Sequence, residues 1–185
     1  MEWQPADIVA FKTPGFTSAV IRAVTFGSVS HVGIVSKLDD RLVLVESTTL
    51  AAGGAPCLVQ GKRVKGVKVH PLSEALTRPG KIWRYPVSQR LTPKEERRLK
   101  IFLLGMVGRN YDYVGALASG PRLLRWASWL FKEESLNSLF CSELCMSAYC
   151  RLLRMSTRSA SIFNPNSMLR RMRRRGAVLE PARLK

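Results

Sequence analysis

Apolar positions recur at two different periods along this chain, and the change of period separates a strand-rich first half from a helix-rich second half. "DIVAF" is a short run rich in Val and Ile. "HVGIV" and "LVLVE" are two more, separated by Asp39 and Asp40, residues that favour turns because they bond their own backbone and tolerate left-handed conformations. We read Val32–Ser36 and Leu42–Glu46 as a hairpin. Alternation returns in "VKGVKVHPL", with Val64, Val67 and Val69, and again in "KIWRYPV", predicting two further strands around a short helix at "LSEAL". The sheet is expected to be antiparallel. Between the first strand and the hairpin, "FTSAVIRAVTFG" has apolar residues at 16, 19, 20, 23 and 26 and ends at Gly27, predicting a short helix that stops there. In "LTPKEERRLKIFLLGMVG", Thr92 is a cap, Pro93 the first helical residue and Glu95 the third, a capping box ahead of an apolar-periodic run. Helices are also predicted at "YVGALA", "PRLLRWASWLF" and "SLFCSELCMSAYCRLLR", and "NPNSMLRRMRRR" starts another with Asn164 to Asn166 near its cap. The pattern is α+β.

Composition narrows this picture. The 185 residues fit one domain, expected over 1–185 with a basic C-terminal segment from about residue 167, since domains usually hold about 100–200 residues. The hydrophobic share is 46%, and the longest apolar run, Ile101 to Val107, falls far short of the ~20 residues of a membrane span. The start "MEWQPADIVAF" has no basic region leading into an apolar stretch, so no secretory signal is expected and synthesis is expected in the cytoplasm. Cys57, Cys141, Cys145 and Cys150 are therefore expected as reduced thiols. Against 13 acidic residues stand 30 Lys and Arg, a formal charge of +17. That field attracts anions: nucleic acid, anionic lipid, bacterial cell wall or an acidic protein surface. Arg170, Arg171, Arg173, Arg174 and Arg175 concentrate it, as a solvated helix end or as the binding site of an acidic partner. "PRLLRWASWLFK" sets Trp126, Trp129 and Phe131 among basic residues, which reads as core or as an interfacial membrane helix.

Candidate chemistry centres on "FCSELC". Cys141 falls in the first turn of its helix if Asn137 or Ser138 caps it, where free backbone N–H groups favour a thiolate. Only His31 and His70 are available as bases. His31 opens a strand and shares a face with Gly33 and Val35; Glu46 closes the partner strand, a carboxylate after four apolar residues. Across a hairpin a strand's first residue lies near its partner's last, so an imidazole and an orienting carboxylate come together. Taken alone, a cysteine is more often a small buried hydrophobe, and Cys57, Cys145 and Cys150 keep that reading. His70, before Pro71, reads as a surface or hydrogen-bonded residue, or as the third catalytic group in place of Glu46. A zinc site of Cys141, Cys145, His31 and His70 would rest on a Cys-x3-Cys spacing within one helix, which is weak.

The order "DIVAF", "SHVGIV", "LVLVES", "YDYVGAL", "FCSELC", "NPNSML" resembles the circularly permuted branch of the NlpC-type papain-like cysteine hydrolases, the YiiX-like group, which is related to the lecithin:retinol acyltransferase-like proteins. In that branch His comes first and Cys last, as here. The resemblance covers roughly residues 5 to 170. It implies a papain-like fold, an antiparallel sheet packed against helices, with Cys141 as nucleophile, His31 as general base and acid, and Glu46 orienting His31. It further implies that the Cys141 backbone N–H contributes to the oxyanion hole, that Tyr111 lines the site, and that no cofactor is required. The implied activity is hydrolysis of an amide through an acyl-enzyme, in a cell-wall (peptidoglycan) peptidase or amidase. Two alternatives stand beside it: a lipid-directed thioesterase or acyltransferase, and a basic binding or assembly protein that retains the fold, such as a phage tail component carried in the particle. Nucleic acid and membrane rank after cell-wall peptide and acidic protein as partners. Two departures from the family pattern are Ala6-Asp7 where Gly-Asp is usual, and Cys145 where a larger aliphatic residue is usual.

Overall fold

The computed structural model describes residues 2–48, 56–64, 66–108, 137–152, 160 and 163–185. Tyr111, the helices expected at "YVGALA" and "PRLLRWASWLF", and Trp126, Trp129 and Phe131 lie outside the described residues. Among the described residues no helix is long and apolar enough to cross a membrane.

The chain runs β1 (Ile8–Lys12), α1 (Phe16–Thr25), β2 (His31–Leu38), β3 (Arg41–Thr48), β4 (Gly66–Pro71), α2 (Leu72–Leu76), β5 (Lys81–Tyr85), α3 (Pro93–Met106), α4 (Asn137–Leu152), α5 (Pro165–Arg174) and β6 (Ala182–Arg183). One antiparallel sheet takes all six strands in the order β4-β3-β2-β1-β5-β6. Alternation sorts the side chains: Val9, Phe11, Val35, Leu44 and Ile82 meet Leu72 and Ala75 of α2 on one face. On the other, Ile8, Ala10, Val32, Ile34, Val43, Val45, Val67 and Val69 join the buried residues of α3, α4 and α5 in the main core.

The β2–β3 hairpin closes through Asp39 and Asp40, both left-handed at φ 47° and 61°, the signature of a type I′ turn whose twist matches the strands. This fixes the register that brings Glu46 beneath the start of β2. The Thr92 capping box forms as expected, Thr92 Oγ1 accepting from the Glu95 N–H at 3.4 Å while the Glu95 carboxylate accepts from Thr92 N at 2.9 Å. Val64 lies ahead of β4 rather than in it, and Val87 is left in an isolated bridge to Val178. The short β6 went unpredicted because two residues carry no period; backbone bonds such as Leu184 N to Ile82 O at 2.9 Å hold it at the sheet edge.

The end of α1 departs from expectation in an instructive way. The helix stops at Thr25, and the left-handed position that closes it is Phe26, φ 48°, not Gly27. Gly27 is needed one residue later, because a Cβ there would lie 2.1 Å from Cγ of Asn166. Asn166, one residue past Pro165 in α5 and 6% exposed, accepts from Val29 N at 3.0 Å and donates to Val29 O at 2.8 Å and Thr25 Oγ1 at 2.9 Å. This one amide ties the loop that leads into His31 to the far end of the chain. Its neighbour Asn164 caps α5, accepting from Ser167 N at 2.9 Å.

Candidate active site

Burial and hydrogen bonding converge on Glu46. Its side chain is 2% exposed, and its carboxylate faces His31 Nε2 at 3.0 Å, His70 Nε2 at 3.1 Å and both terminal nitrogens of Arg78 at 2.7 and 2.9 Å. A carboxylate only accepts, so both imidazoles present an N–H to it. Lys68, opposite Glu46 in the β3–β4 pairing, adds a fourth side chain at 3.7 Å. Burial alone pushes a carboxyl up, but His31, His70 and Arg78 outweigh it and hold Glu46 well below the usual carboxylate range.

His31 is the first residue of β2, 18% exposed on its side chain. With Nε2 on Glu46, the ring hydrogen-bonds Cys141 as well, leaving Nδ1 for the sulfur. Burial would lower its proton affinity, yet the negative charges at Cys141 and then Glu46 prevail and raise the imidazole to about 10. Phe11 packs beside the ring, centroids 5.9 Å apart, and the Arg78 guanidinium lies 5.1 Å over the Phe11 ring, so two of the partners of Glu46 rest on one aromatic side chain.

Cys141 is buried in α4, the fifth described residue of that helix, and the side chain it meets is the His31 imidazole. Cys145, one turn further on, shows the contrast: burial first, then the charges at Cys141 and Glu46, push its thiol well above the ordinary range and keep it neutral. Cys57 is also buried, its sulfur accepting from Val69 N at 3.4 Å, and all four cysteines are free thiols.

The structure thus brings together His31, Glu46 and Cys141. His70 is a buried partner of Glu46, not a surface residue, and stands behind the carboxylate instead of replacing it. Arg78 and Lys68 were not foreseen. Lys68 was legible in part, because "VKVH" alternates and puts Lys68 and His70 on one face with Glu46 once the strands pair; Arg78 was not, since it follows α2 in the loop-like "TRPG" and reaches Glu46 only through the fold. The arginines of α5 lie apart. Arg170, Arg174 and Arg175 are exposed, Arg173 pairs with Glu180, and Arg171 packs on the Phe163 ring at 5.3 Å.

Among the described residues no three His, Cys, Asp or Glu side chains are arranged to hold a metal ion. No family model matches the chain, and no curated protein matches it. Its fold is similar to the crystal structure of the metalloprotein yiiX from Escherichia coli O157:H7, with TM-score 0.54 and 18% identity over 97% of this chain and 87% of that one. The fold of this chain is α+β, a six-stranded antiparallel sheet with helices, consistent with a papain-like architecture.

Proposed function

We propose that this chain is a single-domain cysteine hydrolase of the permuted NlpC-type papain-like group, cleaving an amide bond through an acyl-enzyme. The observation that supports it is the double engagement of His31, bonded at once to Cys141 and to Glu46. A thiolate beside an imidazolium is ready to attack without a prior proton transfer. Sγ of Cys141 bonds to the carbonyl carbon, the carbonyl electron pair moving to oxygen; as the C–N bond breaks, the amine leaves with the proton of His31 and a thioester remains. His31, now neutral, takes a proton from water as the oxygen attacks the thioester, and collapse restores thiolate and imidazolium. Glu46 holds the ring in the orientation both steps require and stabilises its charged form.

The substrate we favour is a peptide bond in cell-wall stem peptides, a reading supported by the family resemblance and by a net charge of +17, which speeds approach to an anionic wall. The exposed arginines of α5 would grip that polymer or an acidic protein. The metal in the yiiX description does not fit these residues: both nitrogens nearest the buried carboxylate already donate into it, and Arg78 and Lys68 would repel a cation there. Cys145, held neutral, is no thiolate ligand.

Incubation with a para-nitrophenyl ester, acid quench and peptide mass spectrometry tests the chemistry. A thioester on the Cys141 peptide is expected, absent in Cys141→Ala and formed at least about a hundredfold more slowly in His31→Ala. Acylation elsewhere, or at a rate indifferent to His31, refutes the assignment.

A further inference from the structure

Glu46 faces more donor atoms than a carboxylate has places for. Two oxygens offer about four lone-pair sites. His31 and one Arg78 nitrogen occupy Oε2; the other Arg78 nitrogen and His70 occupy Oε1. Lys68 arrives fifth, and its Nζ stands 3.7 Å from Oε1, too far for a hydrogen bond. Its side chain is only 9% exposed, and among the described residues nothing else accepts from it. The side chain is largely enclosed while its ammonium has one long ion pair and no hydrogen bond within the described residues, which leaves its donors open to an arriving acceptor.

The charges around the site point the same way. Against the single carboxylate of Glu46 stand Arg78 and Lys68 in addition to His31, so positive charge is in excess around it. Lys68 lies at the Oε1 side of Glu46, across the carboxylate from His31, and Arg78 retains 25% side-chain exposure.

We propose that Lys68, with the exposed edge of Arg78, is an oxyanion subsite that binds a carboxylate or phosphate group carried by the substrate next to the bond Cys141 attacks. This rests on the hydrolase reading for its second half; anion binding itself does not. If Lys68 served only to hold Glu46, removing it would weaken the fold. If it awaits a ligand, replacing it with an apolar side chain of similar length relieves a buried charge, and the folded protein is no less stable.

Thermal unfolding decides between these roles. Wild type, Lys68→Met and, as a control for the arginine face, Arg174→Glu are melted in inorganic phosphate, in acetate and in chloride at matched ionic strength. We expect phosphate or acetate to raise the melting temperature of wild type and Arg174→Glu, with the rise absent in Lys68→Met, and Lys68→Met in chloride to melt no lower than wild type. An equal rise in all three proteins, or a marked loss of stability of Lys68→Met in chloride, overturns the proposal. The better of the two anions names the source: acetate for a free carboxylate on a peptide, phosphate for a phosphorylated substrate such as a lipid headgroup. A second arm compares para-nitrophenyl hydrogen glutarate with para-nitrophenyl butyrate. Wild type should favour the anionic ester in kcat/KM by about tenfold, a ratio that collapses in Lys68→Met. Turnover through Cys141 with an unchanged ratio sinks the subsite and leaves the hydrolase standing; an anion effect without any Cys141 thioester does the reverse.

Discussion

Two buried carboxylates, each paired with an arginine, behave in opposite ways in this molecule. Asp7, wholly buried, accepts from Arg84 Nε at 2.8 Å, Val87 N at 2.9 Å and Gln4 N at 3.1 Å. Even so, burial outweighs these bonds and pushes its carboxyl up. Glu46 is buried almost as fully, yet its carboxyl is held well below the ordinary range. What differs is the number of donor side chains: Asp7 has one, Glu46 has Arg78, two imidazoles and, further off, Lys68. One arginine leaves Asp7 dominated by its burial, whereas several donors hold Glu46 ionised, as its proposed role requires.

The surroundings fit that division. Arg84 lies under the Trp3 ring at 4.8 Å, and the Tyr149 hydroxyl of α4 donates to Ala6 O at 2.5 Å, so the Asp7 region pins β1, β5 and the helix of Cys141 to one another. It is a scaffold whose groups all face inward. The Glu46 region instead keeps His31 and Arg78 partly exposed.

The largest test of the contrast is Glu46→Gln, which keeps the shape and removes the charge. Hydrolysis should fall by about 10²–10⁴-fold, measured as kcat/KM, because the imidazole loses its orienting anion. Asp7→Ala should do the opposite: denaturant unfolding shows a loss of about 3–5 kcal/mol, since Arg84 is left buried without its partner, while the titration of His31 is preserved. A loss of activity at equal stability in the Asp7 variant would erase the distinction.

Acid and alkali sharpen it further. The folded value of Glu46 lies below its ordinary 4.5, so its stabilisation is present above that pH and is lost as pH falls through the folded value. For Asp7 the folded value lies above 3.8, so its contribution is present below 3.8 and lost as pH rises. His31 is raised from 6.5 to about 10, so its contribution is complete below pH 6.5 and disappears as pH rises through 10. Melting temperature should therefore decline across that alkaline window, and His31→Gln should flatten the decline. The smallest effect concerns Ala6, held at φ 73° beside Asp7 in the left-handed region that favours glycine. Ala6→Gly should stabilise by about 1 kcal/mol or less without changing the chemistry, read by thermal unfolding.

Much of this was legible because local rules govern it. Strand alternation and the Asp39-Asp40 turn set the hairpin, and the hairpin alone brings His31 to Glu46. The Thr92 cap is equally local. What escaped depends on contacts distant in sequence. Gly27 looks like a helix stop, yet it is small to admit Asn166, 139 residues later, and the stop falls on Phe26. Arg78 has no periodicity to betray it.

The account stands on the coupling of Cys141, His31 and Glu46, and an NMR titration of the His31 ring reads it most directly, with only two histidines to assign. We predict an imidazolium that persists through neutral pH and titrates at about 10, falling toward the ordinary 6.5 in both Cys141→Ala and Glu46→Gln. A ring that titrates near 6.5 in the wild type, unmoved when Cys141 is replaced, would contradict the central claim.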